Sequence, residues 1–191
     1  MPGQKRNEDS SVIAFTSAVS GEGVTYVTQS FGVELAKRTR RPTIIADIET
    51  LQRVDLFDYT RLPMHCRKTD VPYLHVLECD DDPLSEPRDP SMALVSLTAG
   101  NELDQGVSNL QTLKYSYDYI LVDCPSMQES GDAAFFASAV DGVVLVVEAE
   151  NTRKEQVRSA LSTIEMADAN VLGCVLNKRR YPIPGWLYRR V

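Results

Sequence analysis

No apolar run in this chain approaches the roughly 18 residues of a membrane-spanning helix. The opening MPGQKRNEDSS lacks the apolar core of a secretory signal. Basic excess is missing too. The formal net charge is −7 and the pI about 4.9, which argues against a general nucleic-acid binder, because such a surface must neutralise phosphates. The four cysteines, Cys66, Cys79, Cys124 and Cys174, form no C-x-x-C pair, and they read as free thiols of a reducing compartment. His65, Cys66, His75 and Cys79 miss the paired spacings of zinc ligands, so no zinc is expected. Internal repeats and low-complexity tracts are absent. What is there is a chain of 191 residues, 43% hydrophobic and 25% charged, long enough for one substantial core and cramped for two. The expectation is a cytoplasmic protein with a flexible arm over 1–10, an α/β domain over 11–180 and a basic, aromatic tail over 181–191.

The chain is organised around VIAFTSAVSGEGVTYVTQSFGVEL, residues 12–35. Val12 to Phe15 is an apolar run of strand length. Gly21 and Gly23 allow a sharp turn and close approach of the backbone to a ligand. Val24, Val27, Phe31 and Leu35 then recur at the spacing of one helix face. A strand–loop–helix of this kind aims backbone N–H groups and the positive end of a helix dipole at an anion, usually phosphate. Against the P-loop pattern G-x-x-x-x-G-K-[ST], the aligned residues run from Ala18 to Thr25. Alanine replaces the first glycine and Val24 replaces the lysine. The frame of a phosphate cradle is present and its cation is missing.

Further along, KRTRR suits a helix C-terminus, and Thr43 to Ala46 is a second buried strand running into Asp47, which makes a parallel βαβ unit. The stretch 51–90 is rich in proline, and its acidic run Asp80 to Asp82 reads as solvated loop. Tyr73 to Glu78 and Met92 to Leu97 both alternate like strands, and the first is preferred as the next sheet strand. Asn101 to Tyr115 reads as a helix through Leu103, Val107, Leu110 and Leu113. Tyr119 to Val122 is a buried strand ending at Asp123. A helix over 130–140, a strand over 142–148, a helix over 152–167 and a strand over 171–176 complete the chain. Continuous apolar strands alternating with helices predict a doubly wound, mainly parallel sheet with helices on both faces. Ligands of such sheets sit at the carboxyl ends of the strands, where the Ser20–Thr25 loop, Asp47 and Asp123 fall. An acid after a strand beside such a loop is the usual holder of Mg²⁺, and Thr25 occupies the hydroxyl position that ligates it. The alternative role for Asp47 and Asp123 is to cap helices or satisfy loop amides.

The ordered set SAVSGEGVT, IIADIE, YDYILVDCPS, VDGVVLVVEA and LGCVLNK resembles the cytoplasmic domain of bacterial tyrosine kinases, within the P-loop superfamily that includes septum-site and chromosome-partitioning ATPases. The resemblance covers most of 11–178 and weakens through the middle. It implies a Mg-ATP or Mg-ADP site. Gly21, Glu22, Gly23, Val24 and Thr25 would contact phosphates, Thr25 and Asp123 would hold Mg²⁺, and Asn177 would read the adenine edge. Asp47 and Glu49 match an acidic pair, and Asp47 and Asp123 are the catalytic candidates. It also implies a membrane-anchored polysaccharide co-polymerase or a homologous kinase as partner, with homo-oligomers an alternative, and recruitment to the inner face of the membrane.

The departures from that pattern are specific. Val24 replaces the phosphate lysine, Glu49 an aspartate and Leu51 an arginine, and the tail carries only Tyr181 and Tyr188 in place of a tyrosine cluster. They imply weak or absent nucleotide binding and a regulatory or scaffolding role in exopolysaccharide or capsule biosynthesis and export. The alternative is an active or partner-dependent tyrosine kinase of the same pathway. The tail, with Trp186 among cations, suits a lipid surface, a partner or its own domain.

Overall fold

The computed structural model describes residues 10–54, 56, 66–78, 102–129 and 131–179. In chain order the elements are β1 (Ser11–Ser17), α1 (Val24–Thr39), β2 (Thr43–Asp47), α2 (Ile48–Arg53), β3 (Cys66–Lys68), β4 (Leu74–Leu77), α3 (Glu102–Leu113), β5 (Tyr119–Asp123), α4 (Gly131–Ala139), β6 (Gly142–Glu148), α5 (Lys154–Met166) and β7 (Val171–Asn177). The seven strands form one sheet in the order β3-β4-β2-β5-β1-β6-β7. Every neighbouring pair is parallel except β3 and β4. The mainly parallel α/β architecture expected from the sequence is therefore the one observed.

Both faces of the central strands are apolar because successive side chains point to opposite sides. Val12, Ala14, Ile44, Ala46, Ile120 and Val122 face one way, against Leu51, Leu110, Phe136 and Ile164 from α2 to α5. Phe15, Ile45, Leu121 and Val146 face the other, toward α1. Among the described residues α1 alone covers that second face. The first βαβ unit is parallel, as expected. β1 and β2 are not adjacent, because β5 lies between them.

Burial corrects two expectations. The buried residues of α1 are Thr28, Gly32 and Ala36, while Phe31 on the predicted face is 41% exposed and meets Phe15 in a tilted ring contact, with centroids 5.3 Å apart. Small side chains let the helix lie close to the sheet, and the apolar residues flank the contact. A β-carbon at Gly32 would meet Ile45 Cδ1 at 2.8 Å and Leu121 Cδ1 at 3.1 Å. Gly32→Val is therefore expected to destabilise the fold by about 1–3 kcal/mol through overpacking, measured as a fall in the denaturant midpoint at unchanged slope. The second correction concerns β7, read from its apolar run as a covered strand. It is the edge of the sheet, with Leu172 and Leu176 52% and 57% exposed.

Two elements had no sequence signal, the short α2 and the three-residue β3. α2 is anchored from outside by Asn109 of α3, which is fully buried. Its Nδ2 donates to the carbonyls of Leu51 (2.8 Å) and Val54 (2.7 Å), and its Oδ1 accepts from the amide of Leu56 (3.2 Å). Capping the end of a one-and-a-half-turn helix in this way satisfies carbonyls that such a helix leaves open. The helix over 102–113 and the strand over 74–77 agree with the sequence reading, whereas the alternative strand over 92–97 lies outside the described residues.

Candidate functional site

The carboxyl ends of β2, β5 and β1 lie side by side, and the loop 18–23 leaves β1 over them. Gly21 and Gly23 hold φ of 82° and 89°, the left-handed region where glycine carries no steric penalty. At Gly23 a side chain is also excluded by space, since a β-carbon there would lie 2.4 Å from Asn177 Nδ2. Gly23 is the N-cap of α1 and provides no side-chain cap, and the first turn contains no acidic residue. The start of this sixteen-residue helix thus has neither a side-chain cap nor an acidic residue within its own first turn, a feature of helix ends that receive anions.

Asp47 and Asp123 are paired in register on adjacent parallel strands. Burial pushes the Asp123 carboxyl above the usual aspartate range, a hydrogen bond from Thr25 works against that rise, and the Asp47 charge adds to it. Thr25, Asp123 and Asp47 therefore meet, as the sequence suggested, and their hard oxygen donors have the chemistry that Mg²⁺ selects. Asp47 is already engaged. Its Oδ1 accepts the Thr50 amide at 2.8 Å and its Oδ2 the Thr50 hydroxyl at 2.7 Å, which makes it the N-cap of α2. Of the two readings open for this residue, the capping one is realised here, and Asp123 is the carboxylate that faces Thr25.

The other matched residues occupy distinct places. Val24, at the lysine position, is half-buried against the cluster of Phe15, Ile45 and Leu121. Leu51, at the arginine position, is fully buried. Glu22 is 1% exposed, with its carboxylate turned inward. Asn177 reaches the loop from the end of β7, where its Nδ2 donates to the Glu22 carbonyl at 2.8 Å. Sequence reasoning missed Lys178. Its Nζ donates to the Gly21 carbonyl at 2.5 Å and pairs with Glu148 at 3.1 Å. Its position directly after Asn177 in the last motif was the available signal.

A cleft of about 180 Å³ lies beside the loop, lined by Ala18, Met127, Gln128, Gln156, Ser159, Ala160 and Thr163. It shares only Ala18 with the loop. Of the four residues considered for zinc, His65 and Cys79 lie outside the described residues. Cys66 and His75 converge on Tyr117. His75 Nδ1 is 2.8 Å from the phenol oxygen, and burial pushes the Cys66 thiol up although a hydrogen bond with Tyr117 opposes it.

No family model matches the chain. It is 28% identical to the tyrosine-protein kinase CpsD of Streptococcus agalactiae over 191 residues, which cover 92% of this chain and 78% of that protein. It is 29% identical to the succinoglycan biosynthesis transport protein ExoP of Rhizobium meliloti over 187 residues, covering 89% of this chain and 22% of that much longer one. Among solved structures, the septum site-determining protein MinD of Pyrococcus horikoshii, complexed with Mg-ADP, superposes with a TM-score of 0.61 at 20% identity, over 94% of this chain and 76% of that one. The fold is thus of the P-loop α/β type. The chain's homologues are bacterial tyrosine kinases and MinD-like P-loop ATPases.

Proposed function

We propose that this chain is a bacterial-tyrosine-kinase-like P-loop domain that serves capsule or exopolysaccharide biosynthesis and export as a regulatory or scaffolding component, with weak nucleotide binding. The pathway rests on its likeness to CpsD and ExoP. The impaired state rests on one observation: Val24, where the pattern has a phosphate-binding lysine, is packed into the apolar seam under α1.

The chain's own groups divide the work as follows. The uncapped start of α1 and the Gly21–Thr25 loop receive the phosphates, and Thr25 with Asp123 would hold Mg²⁺. The ion supplies neutralisation of the phosphate oxygens. Without a loop cation, phosphoryl transfer suffers more than binding, because developing charge needs fixed positive groups aimed at it. Asn177 is proposed to border the base, and Asp47 would serve as catalytic acid or base only if the domain is active.

The proposed partner is a membrane-anchored polysaccharide co-polymerase or a homologous active kinase. Among the described residues no helix is long and apolar enough to cross a membrane, so such a partner would bring the domain to the inner face of the membrane. The second reading, an active or partner-dependent tyrosine kinase, is favoured by the retained Thr25–Asp123 pair.

Calorimetric titration with Mg-ADP and Mg-ATP, run beside an ATP-turnover and tyrosine-phosphorylation assay, tests the choice. The expected result is weak binding without appreciable hydrolysis or tyrosine phosphorylation by the isolated chain. Turnover typical of active kinases, lost on Asp123→Asn, would establish the second reading instead.

A further inference from the structure

We infer that Glu22 is the positioning residue of the phosphate loop, the keystone of an internal brace that holds the loop in its anion-receiving shape without a loop lysine. The inference rests on the anion-binding reading of this loop and deepens it. A glutamate between two glycines on an exposed turn would ordinarily point to water, since carboxylates are rarely buried unless paired. Glu22 is instead 1% exposed. One oxygen, Oε2, accepts the amide of Val19 at 3.0 Å, inside the same loop. The other, Oε1, accepts the amide of Glu148 at 2.9 Å, at the end of β6, and the hydroxyl of Thr152, just before α5. Three donors on one buried carboxylate satisfy most of its lone pairs, so its burial is compensated and its geometry fixed.

The outer side of the same loop is tied down separately. Asn177 Nδ2 holds the Glu22 carbonyl, and Lys178 Nζ links the Gly21 carbonyl to the Glu148 carboxylate. Lys178 sits at φ 54°, a left-handed conformation that a non-glycine residue adopts at a cost. The carbonyls of Gly21 and Glu22 are thereby held on the β7 side by named donors. Their orientation constrains the adjoining peptide groups, whose N–H groups are the ones proposed to face phosphate. The loop is clamped from within by a carboxylate and from outside by an amide and an ammonium. The Lys178 ammonium is thus engaged by a carbonyl and a carboxylate.

Glu22→Gln is nearly isosteric but puts an NH₂ where an oxygen now accepts, and Thr152→Val removes one donor to Glu22 together with an acceptor of the Glu148 amide. Two readouts are needed: affinity for inorganic pyrophosphate, and amide hydrogen exchange over residues 19–24, which requires no ligand. Ile164→Val, a mild core change away from the brace, is the stability control. Glu22→Gln is expected to speed loop exchange and weaken pyrophosphate binding by about tenfold or more. Thr152→Val should do the same to a smaller degree, and the control should move neither readout although all three lower the melting temperature. Loop exchange unchanged in a folded Glu22→Gln, or in Thr152→Val should Glu22→Gln not fold, overturns the brace. If the wild type binds no pyrophosphate, the anion-binding reading fails, and the exchange measurement still decides whether Glu22 positions the loop.

Discussion

Val24→Lys tightens binding of Mg-ADP and Mg-ATP roughly 10- to 100-fold. A charge-assisted hydrogen bond to phosphate is worth about 1.5–3 kcal/mol, and each 1.4 kcal/mol is about a decade of affinity. Val24 is the first residue of α1, directly after the Gly23 cap, so a side chain there starts at the mouth of the loop. The valine is only half-buried against Phe15, Ile45 and Leu121. A lysine can lay its methylene stem over the same apolar seam and keep its ammonium at the mouth. The stability cost should therefore stay below about 1.5 kcal/mol, less than the full burial of a valine. Kinase activity should return little, because Leu51, at the position of an arginine in the kinase pattern the sequence resembles, is fully buried in a cluster with Ile48, Val54 and Leu56. A charge placed there would enter the core. Titrating both proteins side by side with Mg-ADP checks the gain. If Val24→Lys leaves binding undetectable, the loop is only a tight connection between β1 and α1.

The sequence disclosed the fold because its strands are continuous apolar runs that end on polar residues, as Ile44–Ile45–Ala46 ends on Asp47 and Ile120–Leu121–Val122 on Asp123. That pattern carries strand type, direction and the position of the site together. Direction and adjacency are different kinds of information, and insertion of β5 between β1 and β2 leaves no local mark. The buried stripe of α1 was hidden because it is made of Thr28, Gly32 and Ala36, which hydropathy does not separate from a polar face. The exposure of Leu172 and Leu176 was hidden because an edge strand and a central one can have the same composition. Within the candidate site, spacing singled out Gly21, Gly23, Thr25 and Asp123, and the family resemblance singled out Asn177. The inward turn of Glu22 was not legible, since its partners Glu148 and Thr152 lie 126 and 130 residues away.

Asp123→Asn should make the protein more stable and less able to bind Mg-nucleotide. The Asp123 carboxyl is raised above its ordinary value of 3.8 first by burial, with the Asp47 charge adding to the rise and the Thr25 hydrogen bond opposing it. A carboxyl with a raised folded pKa holds its proton more tightly in the folded protein than in the unfolded chain. Folding stability therefore grows as pH falls from above the raised value toward 3.8, and the ionised group weakens the fold at neutral pH. Asparagine abolishes that charge, keeps an oxygen able to accept from Thr25, and ends the repulsion from Asp47. Its melting temperature should exceed that of the wild type at pH 7, and the difference should shrink as the wild-type carboxyl takes up its proton in acid. Mg²⁺ needs the ionised oxygen. Loss of a group that holds or orients a metal ligand costs about 10- to 100-fold in affinity, so the variant should bind Mg-ADP weakly by that factor. The same residue is then a liability to the empty fold and an asset to the loaded one, the signature of a carboxylate kept for a cation rather than for a helix cap. Thermal unfolding across pH, with Mg-ADP titration of both proteins, separates the cases. A variant that melts lower than the wild type at pH 7, with unchanged affinity for Mg-ADP, would make Asp123 a structural acid.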